Sequence, residues 1–224
     1  MLNKQKGNMY SWVTHTWNPI CGYCSHDCSY CFIKASPWDN GILRLNTKAL
    51  KDNLGEGNTI FVGSSTDMFA EDVPNEWIED VLNIFNKYPT NNYVFQSKNP
   101  LRFIEFEHLY PRHTQLGTTI ESNRNYDLSK APPVLQRKRA IQCLRNDHNI
   151  FVTIEPILDF EPAILSSWMK DISPFTINIG ADSKNHDLPE PTKEKIEQFL
   201  FLMKNCTYIR IKQKDNLKRL LEGK

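Results

Sequence analysis

The stretch Cys21-Gly22-Tyr23-Cys24-Ser25-His26-Asp27-Cys28-Ser29-Tyr30-Cys31 holds four of the six cysteines of a 224-residue chain. From Cys24 onward it reads C-x3-C-x2-C. Three thiolates on one short loop match three corners of a cubane iron–sulfur cluster, and the last iron needs no thiolate if it binds something else. An iron left open in this way can chelate the amino and carboxylate groups of S-adenosylmethionine (SAM). Two other readings use the same residues. Cys21, Cys24, Cys28 and Cys31 could ligate a structural zinc, although zinc knuckles usually come as two C-x2-C pairs with a longer loop between them. Cys21 could instead close the cubane, although ferredoxin-like chains are shorter and carry no barrel. A disulfide framework would spread its cysteines to staple distant loops. Cys21, Cys143 and Cys206 are read as small loop or core residues that bind no metal.

Beyond this loop, short β-branched or aromatic runs alternate with stretches of helical period, which is the pattern of β–α units around a parallel sheet. The expected strands are Thr59–Gly63, Asn92–Gln96, Gln115–Ile120, Ile150–Ile154, Thr176–Ile179 and Tyr208–Ile211, with a first strand near Tyr10–Thr14. Apolar stripes at Trp77, Ile78, Val81, Leu82 and Phe85, and at Ile196, Phe199, Leu200 and Met203, mark helices. Further helices are expected at Lys48–Leu54, Leu101–Leu109, Val134–Arg145 and Ala163–Lys170, with start signals at Asn46 or Thr47 and at Pro132 or Pro133. The fold class is therefore α/β: an incomplete TIM barrel of about six to seven parallel β–α units in a single domain spanning 1–224. Residues 182–191 are expected to form a loop over one end of the barrel.

Barrel enzymes keep their chemistry at the C-terminal ends of the strands. The residues just past the expected strands are Asp67, Lys98, Glu121, Glu155, Asp182 and Lys212, each charged. Such a ring suits a zwitterionic cofactor with a sulfonium, a ribose and a carboxylate. Glu155 stands directly before Pro156 at the end of an apolar run, so its carboxylate is expected to be half-buried with a partner or a task. Glu155 and Glu121 are the candidate catalytic carboxylates. His15, His26, Trp12, Trp17 and Trp38 flank the cysteine loop, and Arg137, Lys138 and Arg139 read as a solvated basic helix face that a phosphate could also use.

C-x3-C-x2-C early in a chain of β–α units resembles the radical SAM superfamily. The segments Phe61–Phe69, Phe95-Gln96-Ser97-Lys98, Gly117-Thr118-Thr119-Ile120-Glu121-Ser122, Ile154-Glu155-Pro156-Ile157-Leu158 and Ile179-Gly180-Ala181-Asp182 are similar to its spore photoproduct lyase-like branch and to a compact phage-associated relative. The resemblance implies that Cys24, Cys28 and Cys31 hold a [4Fe–4S] cluster and that Tyr30, just before the third cysteine, lies against the adenine of SAM. It implies that Ser65, Thr66 and Asp67 stand where that superfamily has a Gly-Gly-Glu-like segment holding the SAM amino group. Ser97 and Lys98 then approach the ribose or carboxylate, and Glu121 and Ser122 line the cofactor pocket. The implied activity is reductive cleavage of SAM to a 5′-deoxyadenosyl radical that takes hydrogen from a substrate, with a nucleobase or nucleic acid as the substrate class. The implied partner is a low-potential electron donor of the flavodoxin or ferredoxin type.

A non-catalytic zinc or iron–sulfur module that organises a recognition surface uses the same cysteines. Twenty-seven basic and twenty-six acidic residues give a formal charge of +1, so no global field draws the chain to duplex nucleic acid or to an anionic membrane. The N-terminus lacks the apolar core of a signal peptide and no run is long enough to span a membrane, so a cytoplasmic protein is expected.

Overall fold

A computed structural model of the protein describes residues 1–5, 9–34 and 41–223. The strands, in chain order, are β1 (Asn3–Lys4), β2 (His15–Trp17), β3 (Ile20–Cys21), β4 (Arg44–Leu45), β5 (Thr59–Val62), β6 (Asn92–Ser97), β7 (Thr114–Thr119), β8 (Asn149–Ile154), β9 (Thr176–Ile179) and β10 (Arg210–Gln213). The helices are α1 (Asn75–Ile84), α2 (Leu101–Glu105), α3 (Val134–Cys143), α4 (Pro162–Ile172), α5 (Lys193–Met203) and α6 (Lys218–Glu222). Eight strands form one sheet in the order β1-β2-β5-β6-β7-β8-β9-β10. From β2 to β10 every pairing is parallel, while β1 adds an antiparallel edge. β1 and β10 are the two free edges, so the barrel is partial, as the β–α count leads one to expect. Among the described residues no helix is long and apolar enough to cross a membrane.

Strand side chains alternate between two faces, and each face has its own core. Ile60, Val62, Tyr93, Phe95, Leu116, Ile150, Val152, Ile154, Ile177 and Ile179 pack in the larger core together with Ile78, Val81, Leu165, Met169, Ile196 and Phe199 of the helices. The concave face carries a second core of Tyr10, Val13, Phe61, Val94 and Phe151, with Trp12 packed against it. Residues 9–13 are therefore a plug inside the barrel rather than the expected first strand. Tyr10 stacks on Trp12 with ring centroids 4.6 Å apart, and its hydroxyl donates to Gln96 Oε1 at 2.6 Å. Burying two aromatic rings in an otherwise hollow half-barrel outweighs the strand propensity of this segment.

Other boundaries shift for local reasons. The expected helix at Lys48–Leu54 is only a 3-10 turn at Ala49–Lys51, with Asn46 Oδ1 accepting from the Ala49 N–H at 3.2 Å. The run at Leu101–Leu109 breaks into α2 and a 3-10 turn at Glu107–Leu109. The last strand starts two residues later than expected because Ile209 N–H is used by the Cys206 carbonyl in a turn. Lys212 therefore lies within β10, and Lys214 is the residue just past it. Asp182 folds the loop that follows β9, accepting from Lys184 N–H at 3.1 Å and from the His186 ring at 2.7 Å. Trp38 lies outside the described residues.

Gly117 permits the inner core. A Cβ built there would stand 2.1 Å from Cζ of the fully buried Phe151 ring. Gly117→Ala should destabilise the fold by about 1–3 kcal/mol in chemical denaturation. The loss should shrink in a Phe151→Leu background, and an equal loss in both backgrounds would mean that the ring contact is not the constraint.

Candidate active site

The cysteine loop begins at the end of β3 and is tied to the C-terminal ends of the central strands. Asp67, in the loop after β5, fixes it there. Its Oδ2 accepts from His26 Nε2 at 2.8 Å, Ser97 Oγ at 2.9 Å and the Lys98 N–H at 2.9 Å, while Oδ1 accepts from the Phe69 N–H at 3.0 Å. The His26 and Asp67 side chains are 5% and 11% exposed, so the pairing is shielded from water. Burial alone would raise the Asp67 carboxyl; the His26 ring and the Lys98 and Phe69 N–H groups outweigh it and hold the group below its ordinary value. Thr66 Oγ1 donates to the Gly22 carbonyl at 2.9 Å, and Asn18 Oδ1 accepts from Ser64 Oγ and the Ser65 N–H, each at 3.1 Å. On its other side the loop is held by Ser29 N–H on the Leu128 carbonyl and Lys130 N–H on the His26 carbonyl.

Within the loop, Cys28 is buried and Cys24 and Cys31 are partly buried. Burial and the Asp67 charge push the Cys24 thiol up to about 12, while backbone N–H groups of Asp67 and His26 aimed at its sulfur pull the other way. Burial also raises Cys28. Such N–H to sulfur contacts favour thiolate over thiol, which is what an iron–sulfur ligand requires. Among the described residues no three His, Cys, Asp or Glu side chains converge as ligands of one metal ion would. A cubane takes one thiolate per iron, so its ligands do not converge on a single ion. Cys21 sits in β3, paired with Arg44 of β4, and its thiol donates to the Asn18 carbonyl at 3.3 Å.

Tyr30, Lys98 and Glu121, which lie far apart in sequence, meet directly. Tyr30 OH donates to Glu121 Oε1 at 2.5 Å and accepts from Lys98 Nζ at 2.5 Å, and Lys98 Nζ also pairs with Glu121. Arg137 Nη1 donates to Glu121 Oε2 at 2.9 Å and to the Thr119 carbonyl at 2.8 Å. Glu121 is 3% exposed. Burial would raise its carboxyl, but the Lys98 and Arg137 charges prevail and lower it to about 2. Burial and the Glu121 charge keep the Tyr30 phenol protonated far above the ordinary range. Tyr30, Glu121 and Arg137 line a cleft of about 400 Å³ that Tyr126, Val134 and Leu158 also border.

Arg137 is therefore not on a solvated basic face, as its run with Lys138 and Arg139 suggests, but 5% exposed. The spacing Val134, Arg137, Ile141 already places it on the apolar stripe of α3. Ser122 turns away from the cleft, donating to the Asp159 carbonyl at 2.6 Å. Glu155 belongs to a different group. Its Oε2 accepts from Lys214 Nζ at 2.6 Å and its Oε1 from Asn216 Nδ2 at 3.0 Å, across the space kept by Gly180. Lys214 and Asn216 escape sequence reading because the end of β10 lies two residues beyond its expected place.

Comparison with solved structures finds the same architecture. A double mutant of spore photoproduct lyase with bound AdoMet and dinucleoside spore photoproduct superposes with a TM-score of 0.61 at 12% identity, covering 90% of this chain and 64% of that one. Spore photoproduct lyase complexed with dinucleoside spore photoproduct gives 0.60 at 13% identity, again with coverage of 90% and 64%. A further single mutant gives 0.60 at 15%, with 87% and 63%. At these identities the likeness is one of fold, and the chain spans less than two thirds of the length of these structures. No curated protein matches it. The family model described as "Protein of unknown function (DUF5131)" matches residues 8–166, more than half of the sequence, and the chain belongs to that family.

Proposed function

We propose that this protein is a radical SAM-type enzyme whose Cys24, Cys28 and Cys31 hold a [4Fe–4S] cluster with one iron open to SAM. The observation that carries the reading is the C-x3-C-x2-C loop tied through His26 and Asp67 to the mouth of a partial barrel, with backbone N–H groups directed at Cys24. The fold shared with a structure that binds AdoMet and a dinucleoside supports it. When bound, the cluster would supply one electron to the SAM sulfonium, so that a carbon–sulfur bond breaks to give methionine and a 5′-deoxyadenosyl radical able to take hydrogen from a substrate.

The chain's own residues would hold and shield. Tyr30 presents its ring to the adenine at the edge of the 400 Å³ cleft, a volume suited to a nucleoside. Lys98 approaches the ribose or carboxylate, Glu121 lines the pocket, and Ser65 and Thr66 border the amino group. Asp67 and Ser97 act as positioning residues, since their hydrogen-bonding oxygens are already taken up within the protein. Glu155, steadied by Lys214 and Asn216, faces the substrate side and can hold or pass a proton there. The substrate class we assign is a nucleobase or nucleic acid, the reductant a flavodoxin- or ferredoxin-type donor, and the compartment the cytoplasm.

Anaerobically reconstituted protein should carry about four iron and four sulfide per chain. Its reduced EPR signal should change with SAM, and 5′-deoxyadenosine should form under strong reductant. Cys24→Ala, Cys28→Ala or Cys31→Ala should each abolish this, while Cys21→Ala should retain the cluster. Iron that fails to bind, or that ignores SAM, would refute the reading. Asp67→Asn should lower iron affinity by about 10–100-fold at unchanged far-UV circular dichroism. Because the folded carboxyl of Glu121 lies near 2, below its usual 4.5, its stabilising contribution is complete above pH 4.5 and lost as pH falls toward 2. The stability gap between wild type and Glu121→Gln should therefore be widest above pH 4.5 and close on acidification.

A further inference from the structure

One sector of the mouth is not used by the cysteine loop or by the Tyr30 cleft. It lies over β8, β9 and β10, where Thr153, Asn178 and Lys212 stand side by side: Thr153 pairs with Asn178 and Asn178 with Lys212 in parallel register. Ile177, Ile179 and Ile154 fill the outer core, so alternation turns these three side chains to the concave face. Asn178 is 2% exposed, yet its Nδ2 has no hydrogen-bond partner. Lys212 Nζ sits 3.9 Å from the centroid of the Trp12 ring, and the indole Nε1 of that ring is also buried and unpartnered. Among the described residues no carboxylate pairs with Lys212. The nearby carboxylate, Glu155, holds Lys214 and Asn216 instead.

Three donors thus lie near one another on the concave face: the Lys212 ammonium, the amide of its register neighbour Asn178 and the N–H of the indole that the ammonium covers. Leaving a buried donor unpaired costs about 1–3 kcal/mol, and a cation on an aromatic face is stabilised but not neutralised. Burial, reinforced by the Arg210 charge, lowers the Lys212 ammonium below its ordinary value, a cost that an anion would reverse. A single water accepts two hydrogen bonds and brings no charge, whereas the oxygens of a phosphoryl or carboxylate group can accept from all three donors.

We propose that Lys212, Asn178 and Trp12 form a seat for an anionic oxygen group, a phosphate or a carboxylate, carried by the molecule on which the enzyme acts. Calling that molecule the substrate rests on the function proposed above; the anion seat itself does not. Lys212 is partly exposed, and the seat lies in the strand layer beneath Glu155 and Lys214.

The test uses the full chain without cluster or SAM, so its outcome is independent of the iron and EPR measurements. Inorganic phosphate, dimethyl phosphate and acetate are titrated at constant ionic strength balanced with chloride, following calorimetric binding and thermal melting. Wild type should bind at least one of them and melt higher than in chloride, and the tightest ligand identifies the group as phosphomonoester, phosphodiester or carboxylate. Lys212→Gln should weaken that binding by about tenfold or more. Asn178→Asp, which keeps the shape and gives Lys212 an internal partner, should do the same without loss of fold. Arg210→Gln, which removes the same charge from the exposed neighbour, should bind as wild type. Equal binding by all four proteins, or no response beyond chloride in wild type, would overturn the proposal.

Discussion

The geometry of the mouth depends on one buried carboxylate. Asp67 joins His26 of the cysteine loop to Ser97 and Lys98 at the end of β6 and to Phe69 in its own loop. A loop of eleven residues rich in cysteine has no core of its own, and its backbone makes local turns with a few long-range bonds, Ser29 N–H to the Leu128 carbonyl and Lys130 N–H to the His26 carbonyl among them. What holds it over the sheet is a charge-assisted set of hydrogen bonds, stronger than neutral ones and shielded from water. Arg102 braces the same region from behind, donating to the Ala70 carbonyl at 2.5 Å and the Val73 carbonyl at 2.9 Å.

Two further carboxylates divide the mouth. Glu121 is surrounded by Tyr30, Lys98 and Arg137, so its charge is neutralised and its orientation fixed. Glu155 is paired with Lys214 and Asn216, on the side where Asn178 and Lys212 lie. The partition suits the proposed chemistry: one half to hold a cofactor and the other to receive a substrate. Between them, Tyr10 reaches up from the plug to Gln96 and Thr153, giving the mouth a polar floor over an aromatic base. An open sheet would otherwise leave its concave face wet, and the Tyr10, Trp12 and Phe151 rings fill it where Gly117 makes room.

The sequence by itself determined the parallel α/β layout, because period-two apolar strands and helical stripes are local patterns, and it marked Cys24, Cys28 and Cys31, because their spacing is local too. It also placed Lys98 and Glu121 at strand ends. Only the tertiary structure decided which charges are buried and with whom. Arg137 looks solvated beside Lys138 and Arg139, yet a carboxylate sixteen residues earlier in the chain draws it inside. Asp67 reads as one more charged strand-end residue, and only the fold joins its oxygens to His26 of the cysteine loop and to Ser97 and Lys98 of the next strand. Residues 9–13 have strand propensity and become a plug, and Lys214 and Asn216 join Glu155 only once β10 takes its register. The physical reason is common to all of these: the cost of burying a charge or a ring depends on partners supplied by other strands, and no local pattern records who those partners are.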